Sequence, residues 1–251
     1  MVANYTTAVI TGGTSGIGRA TAKKLANLGI HVIVAARSIE RGEETVAEIR
    51  SVGGRADFVS TNLHDEMSAR LLAKTALELG EGHVDILINN AATFPPFGMT
   101  HDITESTFEG TFGVNVKVPY FLVAELAPLM AKRGSGTIIN ITTMVTEYGQ
   151  PGLSLYSASK AAIKMLTKCW AAEYGPSGVR VNAVSPGPTL TEGVLSISGG
   201  DSFTNQMASQ APAGRPATPD EIAEAIVFLA TDVSSYINGA ILPVDGGRTA
   251  V

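Results

Sequence analysis

The chain has 251 residues, 45% of them hydrophobic and 16% charged, with 27 glycines and a formal net charge of -5. This composition suits a compact buried core rather than a disordered chain; with no basic cluster, nucleic acid is not an expected partner, because phosphate binding needs concentrated Lys and Arg. Cys169 is the single cysteine, which excludes an intramolecular disulfide and a cysteine-built metal site; its expected role is core packing and its expected setting a reducing cytoplasm.

The N-terminal stretch MVANYTTAVITGG has no charged region leading into a long apolar run, and no segment reads as the ~18 apolar residues of a membrane span. Short β-branched runs recur along the chain: 6–11, 31–36, 56–60, 84–89, 136–142, 180–185 and 239–244. Segments of helical period lie between them, such as 18–29 and 219–231, bounded by Gly, Pro, Asp or Ser. Near-continuous apolar strands alternating with helices predict a parallel sheet covered on both faces, a doubly wound three-layer α/β/α sandwich. No linker or repeat divides the chain, so residues 1–251 are read as one domain. Residues 191–214 break the rhythm with mixed glycines, serines and apolar side chains, and a lid or loop is expected there.

Directly after the first strand comes TGGTSGIG, with Gly12, Gly16 and Gly18 leading into a helix. Glycines at such a turn let it close tightly, let a pyrophosphate approach the backbone, and let helix and strand pack closely. TGGTSGIG at 11–18, NNAA at 89–92, Asn115, YSASK at 156–160 and SPGPTLT at 185–191 together make this chain resemble the short-chain dehydrogenase/reductase family, in its classical subgroup. The resemblance spans essentially the whole chain. It implies a seven-stranded Rossmann-like sheet and a nicotinamide dinucleotide held by Gly12, Thr14, Ser15, Gly16, Ile17, Gly18, Asn62, Leu63, Asn90, Ala91, Pro186, Gly187, Thr189 and Thr191. It also implies a homo-oligomer, a tetramer by analogy.

The dinucleotide is chosen at the end of the second strand, where NAD needs an acid for the ribose 2′-hydroxyl. The chain reads VAARS there, so Arg37 stands where a carboxylate is sought, and NADP is favoured over NAD. Two family positions differ: Asn62 stands for the usual Asp beside adenine, and Ala92 for a Gly, a poorer fit if that backbone needs φ > 0.

Carbonyl reduction needs a hydride at carbon, a proton at oxygen and stabilisation of the growing oxyanion, and it requires no metal. A free phenol near pKa ~10 is a weak base, and a nearby ammonium favours its ionised form. The resemblance makes Tyr156 the acid/base and Lys160 the neighbouring cation that also holds the nicotinamide ribose, with Asn115 completing a proton relay through water. Thr143, thirteen residues before Tyr156, takes the family's serine position, with Thr142 as the other hydroxyl available. Thr189, and Thr191 as its alternative, face the carboxamide region. Val194, Leu195, Phe203 and Met207, with Phe94 and Phe97, point to an apolar or aromatic carbonyl or alcohol as the small-molecule substrate; 3-oxoacyl thioester reduction is one member of that class. The rival reading is a dinucleotide-binding redox sensor or scaffold with vestigial catalysis.

Overall fold

The computed structural model describes residues 7–196 and 199–251; Thr6 of the first predicted strand and residues 197–198 of the predicted lid lie outside them. Seven strands form one parallel sheet in the order β3-β2-β1-β4-β5-β6-β7. They are β1 Thr7–Thr11, β2 His31–Ala36, β3 Ala56–Ser60, β4 Ile86–Asn89, β5 Gly136–Ile141, β6 Val179–Pro186 and β7 Ile241–Val244. The helices that matter for the site are α1 Gly16–Asn27, α2 Ile39–Ser51, α3 Glu66–Leu79, α4 Glu105–Phe112, α5 Val118–Arg133, α6 Ser154–Tyr174, α7 Glu192–Leu195, α8 Gly200–Ala208 and α9 Pro219–Ala230.

Alternate residues along each strand face opposite layers. Val9, Ile33, Leu87 and Ile138 bury against Leu72, Leu122 and Leu126 of α3 and α5. Their neighbours Ile10, Val34, Ile88 and Ile139 bury against Leu25, Ile49, Ile222 and Ile226 of α1, α2 and α9. The seven-stranded doubly wound sheet expected from the sequence is therefore the one observed. Its strand order reverses between β1 and β4, and in open parallel sheets the crevice beyond the carboxyl ends at that point receives ligands.

Three local expectations change. The continuous helical run Glu105–Arg133 is long and apolar enough by composition to cross a membrane, contrary to the sequence reading; its Val118, Leu122, Val123, Leu126 and Met130 are nevertheless buried in the core. Residues 191–214 hold α7 and α8 rather than an irregular loop. Cys169 is exposed rather than packed in the core: the buried stripe of α6 runs through Ile163, Thr167, Trp170 and Ala171, and Cys169 falls off it.

Candidate active site

Two cavities meet at the β1/β4 switch point. The first, about 490 Å³, runs from Ala36, Arg37, Ser38 and Arg41 past Thr61, Asn62 and Leu63 to Gly12, Thr14, Ser15, Gly16 and Ile17. The second, about 640 Å³, holds Thr143, Tyr156 and Lys160. Ile17, Asn90, Ala92, Thr191 and Gly193 line both, so one continuous cleft joins them.

The glycine turn is built for close approach. Gly12 (φ 65°) and Gly16 (φ 49°) adopt left-handed backbone that favours glycine. A Cβ on Gly18 would stand 2.3 Å from the Gly12 carbonyl oxygen and 2.5 Å from Asn90 Nδ2. Asn90 fixes this turn by donating from Nδ2 to the carbonyls of Thr11 (2.8 Å) and Gly12 (3.1 Å). Thr11 Oγ1 accepts from the backbone of Asn90 and Ala91, both at 3.0 Å. Ala92 is absent from the positive-φ residues, so alanine sits there without backbone strain. The backbone N–H of Gly16, at the start of α1, donates to Glu192 Oε2 at 2.6 Å, a contact the sequence gives no sign of. These features fit a dinucleotide: a glycine cradle that no side chain could share, at the positive end of a helix.

At the adenosine end the cleft carries Arg37 and Arg41, both exposed, and no carboxylate among its lining residues. Arg41 escaped the sequence reading; it lies one helical turn beyond Arg37, the spacing that would have found it.

The second cavity is positioned by α6. A buried polar ladder ties that helix to the sheet: Asn89 Nδ2 donates to Asn140 Oδ1 at 2.9 Å, and Asn140 Nδ2 donates to the Thr167 hydroxyl at 2.9 Å. One end of α6 thereby presents Tyr156 to the cleft, while Lys160 Nζ is buried and donates to the Ile141 carbonyl at 2.8 Å. The ammonium lies 5.9 Å from the Tyr156 ring centroid. Burial pushes the Tyr156 phenol up to about 12 and brings the Lys160 amine down to about 8. For the phenol the cause is desolvation, which disfavours its ionised form.

Thr142 and Thr143 separate cleanly. The Thr142 hydroxyl donates to the Val184 carbonyl at 3.1 Å, bridging β5 to β6. Thr143 lines the cavity with its hydroxyl unpaired among the described residues. Asn115 lines neither cavity. It sits in a π-helical turn, Gly113–Lys117, between α4 and α5, a feature that often marks functional sites. Its Nδ2 donates to the Thr93 carbonyl and the Ser159 hydroxyl, both at 3.0 Å, and its Oδ1 accepts from Thr93 N at 2.8 Å. The side chain is thus fully engaged in holding the loop after β4 against α6. Pro119 has no N–H, so the Asn115 backbone carbonyl has no donor at i+4.

Thr189 and Thr191 divide as well. The buried Thr189 hydroxyl donates to the Gly187 carbonyl at 3.0 Å, and Thr191 caps α7 by accepting from Val194 N at 3.3 Å. Pro186 and Gly187 line the catalytic end. Above them Phe94 lies 4.6 Å from the Tyr156 ring, 5.4 Å from Phe97, and Phe97 lies 4.8 Å from Phe203, centroid to centroid. Val194 and Met207 also face this cavity, whereas Leu195 does not line it.

The fold and the cleft define an oxidoreductase of alcohols and ketones. A family model described as Enoyl-(Acyl carrier protein) reductase matches residues 12–249. Cis-4-hydroxycyclohexanecarboxylate dehydrogenase of Sinomonas cyclohexanicum is 39% identical, over 97% of this chain and 96% of its own. Gluconate 5-dehydrogenase of Gluconobacter oxydans is 33% identical, over 96% and 94%. A crystal structure of a candidate NAD(P)-dependent gluconate 5-dehydrogenase from Beutenbergia cavernae, with NADP at low occupancy, superposes with a TM-score of 0.90 at 35% identity, covering 98% and 97% of the two chains. This chain belongs to the short-chain dehydrogenase/reductase family.

Proposed function

We propose that the protein is an NADP(H)-dependent oxidoreductase that interconverts a ketone or aldehyde with an alcohol. One observation carries this reading: the unpaired hydroxyls of Tyr156 and Thr143 share a cavity with Lys160, and that cavity opens into the glycine-lined cleft. Gly12, Gly16, Gly18, Asn90 and Ala91 form the dinucleotide cradle, and Thr189 and Thr191 flank its nicotinamide end. When bound, the nicotinamide supplies or accepts the hydride.

The chain's own groups handle the proton. Thr143 holds the substrate oxygen, and Tyr156 donates to it. A phenol near 12 is fully protonated at neutral pH, which suits donation during reduction. The reverse reaction needs the phenolate. Lys160, near 8, is largely charged at pH 7 and supports the phenolate, and it loses that charge as pH rises through its pKa. The Asn115 backbone carbonyl accepts a hydrogen bond from a water through which the proton passes between Lys160 and solvent. Thr143→Ala is expected to lower kcat roughly 100-fold, the usual cost of one oxyanion donor, while Thr143→Ser retains most of it. Unchanged turnover in the alanine variant would remove Thr143 from the mechanism.

Arg37, with Arg41 beside it, supports NADP: two guanidinium groups and no carboxylate face the place of the ribose 2′ substituent. Steady-state kinetics should show NADPH well ahead of NADH. Arg37→Ala should weaken NADPH about tenfold or more, within the range of a charged hydrogen bond, and leave NADH unaffected; a strong NADH preference in the parent protein sinks the assignment. Tight dinucleotide binding without turnover on a broad carbonyl panel would instead favour the redox-sensor reading.

Exposed Phe108, Tyr120 and Met165 on α4, α5 and α6 support a homo-oligomer, a tetramer by family analogy. The lone thiol of Cys169 supports a cytoplasmic setting.

A further inference from the structure

The catalytic cavity has a wall of unusual chemical poverty. Its side-chain hydroxyls are almost all committed within the protein: Thr142 donates to Val184, Thr189 to Gly187 and Thr204 to Gly200, while Thr191 accepts from Val194. Lys160 is the one charged residue among those lining it, and its ammonium is buried against the Ile141 carbonyl. Among the described lining residues, the hydroxyls of Tyr156 and Thr143 are the two with no hydrogen bond of either kind, and both line this one cavity. Beside Tyr156 begins a chain of rings, Phe94, Phe97 and Phe203, at 4.8–5.4 Å spacing, and Val145, Leu153 and Met207 line the same cavity.

We propose that the substrate of this site is an uncharged carbonyl compound whose only polar function is the reacting one, carried on a flat aryl or cycloalkyl body that lies against the three phenylalanines. This rests on the oxidoreductase reading above and narrows it. A substrate oxygen finds both free hydroxyls, and a flat apolar ring finds offset and edge-on aromatic partners. A sugar acid is received less well, because most of its hydroxyls would face rings and methyl groups, with only the remaining lone pairs of already engaged threonines to accept from them. A ring carboxylate or sulfonate would be worse placed, since an unpaired anion in such a wall loses its hydration with no cation in return. The same absence argues against a phosphopantetheine arm, which brings amides and a phosphate.

The test is a three-ketone comparison with NADPH: 4′-methylacetophenone, 4-acetylbenzoate and 5-ketogluconate. The neutral ketone should lead both anions in kcat/KM by at least ~100-fold. Phe203→Lys, which brings a cation to the apolar wall, should narrow the gap between methylacetophenone and acetylbenzoate at least ~10-fold. A melting curve reports whether that variant folds, and the parent comparison stands without it. Preference of the parent for either anion overturns this inference and leaves the oxidoreductase reading intact. Binding of NADPH, read by its fluorescence, with reduction of none of the three overturns the oxidoreductase reading itself, and this inference falls with it.

Discussion

Tyr156→Phe is expected to lower kcat by roughly 1000-fold, within the range for removing a positioned general acid, with NADPH affinity and melting temperature held. Among the described residues the phenol oxygen has no hydrogen-bond partner, so its loss leaves none of them unsatisfied. The ring remains, and with it the contact to Phe94 at 4.6 Å. Single-turnover kinetics in the reductive direction isolate the chemical step from product release. A variant that keeps more than about a tenth of parental kcat would mean that another group, or water, delivers the proton.

Gly18→Ala should be the most damaging single methyl in the cofactor cleft. Its Cβ would stand 2.3 Å from the Gly12 oxygen and 2.5 Å from Asn90 Nδ2, and both of those atoms belong to the turn that Asn90 clamps. The first is backbone, and the second, though a side-chain end, is held by its hydrogen bonds to Thr11 and Gly12. Overpacking of this kind costs about 1–3 kcal/mol, equivalent to a Tm lowered by roughly 2–12 °C in a chain of this size. The displaced turn should also lose dinucleotide affinity by ~100-fold or more, since the backbone that would receive the pyrophosphate is the part that moves. Gly149→Ala is the control, because a Cβ there meets nothing within 4 Å. If Gly18→Ala binds NADPH as the parent does, the cradle is misassigned.

The sheet was readable because each strand is an apolar run bounded by turn residues, and that pattern has few alternatives. HVIVAA and ADFVS match β2 and β3 residue for residue. Helix α8 was hidden for the opposite reason. GDSFTNQMA is poor in helix formers, and the helix is held by tertiary burial of Thr204 and Ala208. For Cys169 helical period outweighs the tendency of the residue type: one position before Trp170 turns the side chain by about 100°, enough to take it off the buried stripe. The constellation of Tyr156, Lys160 and Thr143 was legible as spacing, but its electrostatics were not. Spacing put an ammonium beside a phenol; burial, which no spacing encodes, sets which way the phenol is shifted. Glu192 came from folding alone, which brings α7 to the start of α1.

The bond from Gly16 N to Glu192 Oε2 changes how an anion enters that cleft. The start of α1 is no bare positive pole, because a carboxylate from α7 already neutralises it before any ligand arrives. A phosphate settling on the same amide trades one negative partner for another, and the free energy of arrival becomes the difference between the two. Glu192 shares α7 with Val194, which lines the neighbouring cavity, so the helix that faces the start of α1 also walls that chamber. By linkage, whatever holds α7 away from α1 favours the incoming anion to the same degree that the anion favours the displaced α7.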